Sequence, residues 1–509
     1  MLQKNIINET EIRDYYWSKY QNKLNKATNS LLKRLKERNS NEKLPTVRIN
    51  RISLKNLKNV SNGEIVFYCG KKHIPYATMS DILGLYGQNG SGKTTLINAL
   101  EFVRMMLIGV PYNKLSQLCY GFVNGDAEFA TIRTDFDLQY PDGRIRRVVY
   151  EFSIKDEVIV DGNVESEPIE GKLRILNERI SMGGDFYGKK HKLQPIIDTT
   201  NLGAPFASIT KKKEFVGSAG KSKRIERLIK ESYEKTGSFV FSKKALNYYR
   251  ERSNFSEYYQ VLVELKYFAL FFFFVIGTQL SGFMRMNIGL VISTMYGDKL
   301  IYYNRPNIIV PEGIGLLEEH IGKVSLVMEQ LIPGMKLRLI KKPLATVDGD
   351  RFDISLNVIR NGFDMPIRYE SDGIRRLVSV MSLYIWAFSC QSCTIAIDEF
   401  DAGIFEYLLG ELLELFQESG KGQLIFTAHN LRALEVLNRE FLYFTTTNPK
   451  KRYTQLTHIG KTNNLRNAFF REIVLGSGDE IYSETKKRKI LQALYEAEPN
   501  EMKEDNTNG

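Results

Sequence analysis

The sequence predicts an α/β protein: a mixed sheet with flanking helices, split by a large, mainly helical insertion and preceded by a helical arm. Three observations carry this. First, a helix from Asp372, the apolar strand Thr394–Ile397, a helix near Phe405–Glu418 and the strand Gln423–Thr427 follow one another. That order belongs to a mainly parallel sheet covered by helices. Second, the apolar strand Ile82–Tyr86 runs straight into a glycine-rich turn and a helix from about Lys93. Third, Ser371 follows Gly87 by 284 residues (371 − 87), so whatever joins the two halves is long.

The chain has 509 residues, and at roughly 100–200 residues per domain that suggests about three units. Apolar residues make up 43% and aromatics 11%, too many for general disorder. Mean hydropathy of −0.27 is too polar for a polytopic membrane protein. The start, Met-Leu-Gln-Lys-Asn-Ile-Ile-Asn-Glu, has no apolar core of a secretory signal. Four cysteines in so long a chain cannot build a disulfide framework, so a cytoplasmic location is expected. The net charge of +12 hints weakly at an acidic partner such as nucleic acid or nucleotide.

Residues 1–46 read as a basic helical arm, with Asn8 and Glu11 able to form a capping box. Its helix breaks between Asn39 and Pro45. Residues 47–170 form a first lobe: strands Val47–Leu57 and Glu64–Tyr68, the glycine turn, and Glu128–Gln139 joined to Arg144–Ile154 through Pro141-Asp142-Gly143. Residues 171–334 form the insertion, expected to be mainly helical. Within it Lys211–Lys230 reads as a mobile basic loop, and Tyr267–Ile276 as a buried helix or oligomer contact in preference to a membrane span. Residues 335–475 form a second lobe, in which Phe352, Ile354, Leu356 and Val358 alternate and Asn361-Gly362 turns a hairpin. Residues 476–509 read as a C-terminal helix and a disordered tail.

Gly87-Gln88-Asn89-Gly90-Ser91-Gly92-Lys93-Thr94 matches G-x-x-x-x-G-K-[ST], with a strand before it and a helix after. Glycines let successive backbone N–H groups close around a phosphate, and the helix N-terminus adds a favourable dipole. Lys93 is placed to reach the β- and γ-phosphates, Thr94 to hold Mg²⁺, and Thr95 completes the nucleotide-binding run. Ile395-Ala396-Ile397-Asp398-Glu399 ends an apolar strand in two acids. Asp398 is expected beside the metal, and Glu399 to orient or deprotonate the attacking water. His429 ends the next strand, where it can contact the γ-phosphate. The guanine-reading Asn-Lys-x-Asp is missing, since Asn113-Lys114-Leu115-Ser116 lacks the Asp. Cys390 and Cys393 form a Cys-x-x-Cys with no second pair, which argues against zinc.

The spelling Gly-x-Asn-Gly-Ser-Gly-Lys-Thr, with Asp-Glu and a later His, resembles the ABC-type and SMC-like P-loop ATPases. Ser371-Asp372-Gly373 opens an apolar helix 27 residues before Asp398 (398 − 371) and resembles the signature of the OLD and RecF branch. The resemblance implies ATP and Mg²⁺ as ligands, catalytic roles for Glu399, His429 and Lys93, and two subunits sandwiching nucleotide. It further implies that Ser371 and Gly373 face the nucleotide bound by the other subunit, and that Asp401 lines the dimer interface. Lys58 and Asn59 lie where SMC-like relatives contact nucleotide. Gln117 and Gln139 are both open as the glutamine that such ATPases carry between their lobes.

The overall layout resembles the stand-alone ATPase subunits of bacterial anti-phage modules, PtuA of Septu and AriA of PARIS. That resemblance implies a sensor or regulatory subunit working with a separate effector such as a nuclease. The 80 residues after His429 (509 − 429) contain no Asp-x-Asp, so nuclease activity is expected from a partner chain. Other readings are an SMC- or RecF-like clamp in DNA repair or maintenance, and a slowly hydrolysing scaffold. In the clamp, Lys211–Lys213, Lys221–Arg227 and Lys486–Lys489 track phosphates. A transporter cassette with a membrane partner is disfavoured.

Overall fold

The computed structural model describes residues 44–72, 80–109, 121–159, 170–200, 223–251, 255–277, 289–294, 297–304, 306–346, 349–456, 465–475, 481 and 486–497. The predicted arm helix with Asn8 and Glu11, the Asn113–Ser116 stretch, Gln117 and the last 12 residues lie outside them. In chain order the first elements are β1 (Thr46–Leu57), β2 (Val60–Val66), α1 (Tyr68–Lys72), β3 (Asp81–Tyr86) and α2 (Lys93–Ile108). Four long strands follow: β4 (Ala130–Gln139), β5 (Ile145–Ile159), β6 (Glu170–Phe186) and β7 (Lys189–Asp198). Then come α3 (Lys223–Glu234), α4 (Lys243–Arg250), α5 (Ser256–Phe271) and β8 (Phe273–Ile276). Next are β9 (Gly289–Thr294), β10 (Gly297–Tyr302), β11 (Asn307–Ile309), α6 (Ile314–Leu331), β12 (Lys336–Thr346), β13 (Gly349–Arg360) and β14 (Phe363–Pro366). The last part holds α7 (Asp372–Ser389), β15 (Thr394–Ile397), α8 (Glu406–Ser419), β16 (Gln423–Thr427) and α9 (Ala433–Val436). It ends with β17 (Leu442–Thr445), β18 (Tyr453–Thr454), α10 (Leu465–Leu475) and α11 (Lys487–Glu496).

The fold is α/β. One six-stranded sheet has the order β18-β17-β3-β16-β15-β8, parallel throughout except for the β17–β18 edge. Strands β3, β8, β15 and β16 are buried on both faces and mostly apolar, the pattern of a parallel sheet covered on both sides. Alternate residues feed two cores. Leu83, Leu85, Phe273, Val275, Ala396 and Ile425 point into a core shared with α2 and α5. Ile82, Tyr86, Phe274, Ile276, Ile395, Ile397, Leu424 and Phe426 point into the other, shared with α6, α7 and α8. The C-terminal ends of β3, β15 and β16 lie along one edge, where ligands bind in such sheets.

A second sheet, antiparallel, runs β2-β1-β4-β5-β6-β7 and closes over α2. Here the structure corrects the expected organisation. Among the described residues of 171–334 strands stand beside helices, so this part is mixed and not mainly helical: β6 and β7 extend the sheet begun by β1, because Leu173, Ile175, Ile180 and Met182 bury a strand face. The apolar run Tyr267–Ile276 is likewise not one helix. It finishes α5, turns at Phe272 and becomes β8, which pairs with β15 along Phe273–Ile276. Parallel pairing satisfies the backbone of a short apolar segment that helix periodicity alone could not place. Of the expected basic loop, 223–230 is the start of α3, and 211–222 lie outside the described residues. Among the described residues no helix is long and apolar enough to cross a membrane.

Candidate nucleotide site

β3 ends at Tyr86, and the glycine loop carries the chain into α2. Gly87, Gly90 and Gly92 all have positive φ, at 151°, 74° and 99°. At Gly87 the requirement is also spatial, since a Cβ would sit 1.7 Å from Thr445 Oγ1. The Lys93 ammonium folds back over the loop, donating to the carbonyls of Gly87 at 2.7 Å and Gln88 at 3.1 Å. Burial holds its pKa below the ordinary lysine value, against the opposing pull of Asp398, Glu399 and Asp401. Ser91 Oγ lies 2.5 Å from Thr445 Oγ1 and donates to the Gln88 carbonyl at 2.5 Å.

Strand β15 delivers the two acids. Thr94 Oγ1 donates to Asp398 Oδ1 at 3.4 Å, so the loop and the acidic strand meet across the sheet edge. Glu399 sits at φ 50°, a left-handed conformation uncommon for a residue with a side chain. A cavity of about 420 Å³ is lined by Asn89, Gly90, Gly92, Lys93, Thr94 and Thr95 of the loop and by Asp398, Glu399 and His429. That is within the roughly 300–1,000 Å³ of small-molecule sites. Residues scattered over more than 300 positions of the chain thus converge on one pocket.

Ser371 and Gly373 do not line this cavity. Ser371 caps α7, its hydroxyl accepting from Ile374 N at 3.3 Å. Gly373 instead abuts Gly403, and a Cβ on Gly373 would meet the Gly403 carbonyl oxygen at 2.9 Å. Asp401 Oδ2 accepts from the backbone of His429 at 2.9 Å and Asn430 at 2.6 Å, fixing the loop that carries His429. Gln139 ends β4 opposite Thr46 and Ile145 in the antiparallel sheet and is not among the cavity residues. The chain leaves β8 beside β15, where Asp398 N donates to the Ile276 carbonyl at 2.9 Å.

Several residues around the loop lie outside the glycine and acidic motifs, and the resemblance to SMC-like ATPases already points to two of them, Lys58 and Asn59. Lys58 and Asn59, the turn between β1 and β2, line the cavity. Asn59 donates to the Gly90 carbonyl, accepts from Thr95 Oγ1 at 3.1 Å, and its own carbonyl accepts from Arg452 at 2.6 Å. Tyr453 donates to the Gly92 carbonyl at 2.9 Å. These come from strands far apart in sequence, and only sheet pairing brings them to the loop.

Residues 51–271 match the family described as AAA domain. The match runs from β1 through α5, contains the glycine loop, and stops before Asp398. No curated protein matches the chain. Among solved structures it is similar to the Smc head domain of Pyrococcus furiosus bound to the C-terminal domain of ScpA, at 14% identity and TM-score 0.38, covering 85% of this chain and 100% of that one. The SMC head domain from Thermotoga maritima is similar at 13% identity and TM-score 0.33, with 80% and 99% covered. The recombination mediator protein RecF-ATPrS of the RecFOR pathway is similar at 14% identity and TM-score 0.34, with 82% and 100% covered. The family match and the glycine-loop motif fall on the same strand, loop and helix, β3 to α2.

Proposed function

We propose that the chain binds and hydrolyses ATP. The observation that carries this is the convergence of the Gly87–Thr95 loop with Asp398, Glu399 and His429 around one cavity. Loop N–H groups and Lys93 hold the phosphates once Lys93 exchanges the carbonyls of Gly87 and Gln88 for phosphate oxygens. The Thr94 hydroxyl and the Asp398 carboxylate, already 3.4 Å apart, form a hard oxygen pair that suits Mg²⁺. When bound, the ion neutralises charge developing on the phosphates. Glu399 takes the proton of the attacking water, and His429 contacts the γ-phosphate from the neighbouring strand tip. Replacing Lys93 by Ala tests the binding half: affinity for ATP should fall at least about tenfold, and unchanged affinity would contradict the assignment.

The chain is further read as a sensor or regulatory subunit of an anti-phage complex, with a second copy closing the site through Ser371 and Gly373 and a separate effector such as a nuclease. What supports a regulatory part in that reading is the way α6 and the segment just after β10 rest on α7. Tyr303 donates to the Arg375 carbonyl at 3.3 Å and lies 2.7 Å from Ser379 Oγ, and His320 pairs with Ser382 at 2.7 Å. A partner held by that layer has a direct mechanical route to the start of α7. The second reading, a DNA clamp, draws on Lys486–Lys489, four consecutive exposed cations. DNA binding that weakens steeply with salt and is lost on neutralising them favours the clamp; salt-insensitive or undetectable binding favours a protein partner.

A further inference from the structure

The geometry points to Thr427 as the positioning residue that fixes both acids of the site, an inference that rests on the ATP-hydrolysis reading. Thr427 ends β16, is fully buried, and belongs to no motif. It makes three hydrogen bonds to three consecutive residues of the acidic turn. Its hydroxyl donates to Asp398 Oδ1 at 2.6 Å and accepts from Glu399 N at 2.8 Å. Its carbonyl accepts from Phe400 N at 2.9 Å.

The hydroxyl has one proton, and Asp398, when ionised, only accepts, so the direction of the chain is fixed. The proton goes to the carboxylate, and a hydroxyl lone pair takes the Glu399 N–H. Asp398 Oδ1, the oxygen so held, is also the one that Thr94 Oγ1 approaches at 3.4 Å. Thr427 therefore aims the carboxylate at the place where the loop hydroxyl and a cation meet. The second bond pins the peptide of Glu399 in its left-handed conformation, φ 50°, and that conformation sets where the Glu399 carboxylate stands in the cavity. Left-handed residues with side chains persist where the surroundings over-determine them, and a buried hydroxyl with two committed partners does so here. One side chain thus sets the orientation of the metal-facing acid and of the proposed base together.

Thr427→Val keeps the shape and removes both side-chain bonds, and Thr427→Ser keeps the bonds and removes the methyl. A fluorescent ATP analogue titrated with and without Mg²⁺ gives a readout independent of turnover. Expected for Thr427→Val is unchanged affinity without Mg²⁺, loss of about tenfold of the gain that Mg²⁺ confers, and a fall in kcat of about 100-fold with little change in KM. Thr427→Ser should restore both to within about threefold of the parent. Should Thr427→Val melt below the assay temperature, Thr427→Cys, similar in size with a weak donor, is read in the same way. A folded valine or cysteine variant that keeps the parental Mg²⁺ response and kcat would overturn the role of Thr427 alone. A parent chain with no Mg²⁺-dependent nucleotide binding would overturn the hydrolysis reading and this inference with it.

Discussion

The guanidinium of Arg376, buried on the first turns of α7, donates to the main-chain carbonyl of Asp398 at 3.0 Å and also to that of Glu399. The helix opened by Ser371 is thereby tied to the turn that carries both acids. Burial lowers the pKa of Arg376 from the ordinary arginine value, while Glu399, Asp401 and Asp398 pull it back up. Arg376→Met fills much of the volume and leaves one buried and one half-buried carbonyl without this donor. Hydrogen bonds to charged groups contribute about 1.5–3 kcal/mol each, so the melting temperature should drop clearly. ATP affinity through the loop should hold within a few-fold while kcat falls at least about tenfold. Calorimetry beside steady-state kinetics checks the split.

Gly373 and Gly403 touch backbone to backbone, and the two alanine variants should differ. Gly373→Ala meets only a steric obstacle, its Cβ at 2.9 Å from the Gly403 carbonyl oxygen. Gly403→Ala meets the Gly373 Cα at 2.8 Å and must also hold φ 77°, which adds about 1–2 kcal/mol for a residue with a side chain. Chemical denaturation should rank Gly403→Ala as the less stable, with both below the parent.

Glu101 lies on α2, and burial pushes its carboxyl up to about 7 despite the nearby Arg104. The folded state keeps this proton where the unfolded chain releases it. Stability from this group is therefore full at acid pH, declines as pH rises from about 4.5 to 7, and is constant above. Glu101→Gln, neutral at every pH, should lack that decline and gain up to about 3 kcal/mol above pH 7. Asp81, raised by burial to about 6, keeps its own decline at lower pH in the variant. Melting curves of both proteins between pH 5 and 8 should diverge as pH rises.

The centre of the parallel sheet was legible because β3, β15 and β16 are mostly apolar and end in distinctive chemistry: glycines after Tyr86, acids after Ile397, a histidine beyond Thr427. The Asn361-Gly362 hairpin was legible for the same local reason, and both residues have positive φ. What escaped was decided by pairing. Phe273–Ile276 is a strand only because β15 lies beside it, and β6 extends a sheet whose first strand is more than 100 residues earlier. Within the site, Lys58 and Asn59 are reached only through the resemblance to SMC-like ATPases, while Arg452, Tyr453 and Thr427 act through polar atoms brought together by sheet register. No spacing in the sequence encodes that.

We propose Glu399, placed by the turn after β15, as the base of an ATP hydrolase. The direct measurement is phosphate release with ATP and Mg²⁺ by the parent chain and by Glu399→Gln, alongside nucleotide affinity for both. Expected are turnover by the parent, a loss of about 100-fold or more in the variant, and retained affinity. Equal turnover in the two proteins would contradict it.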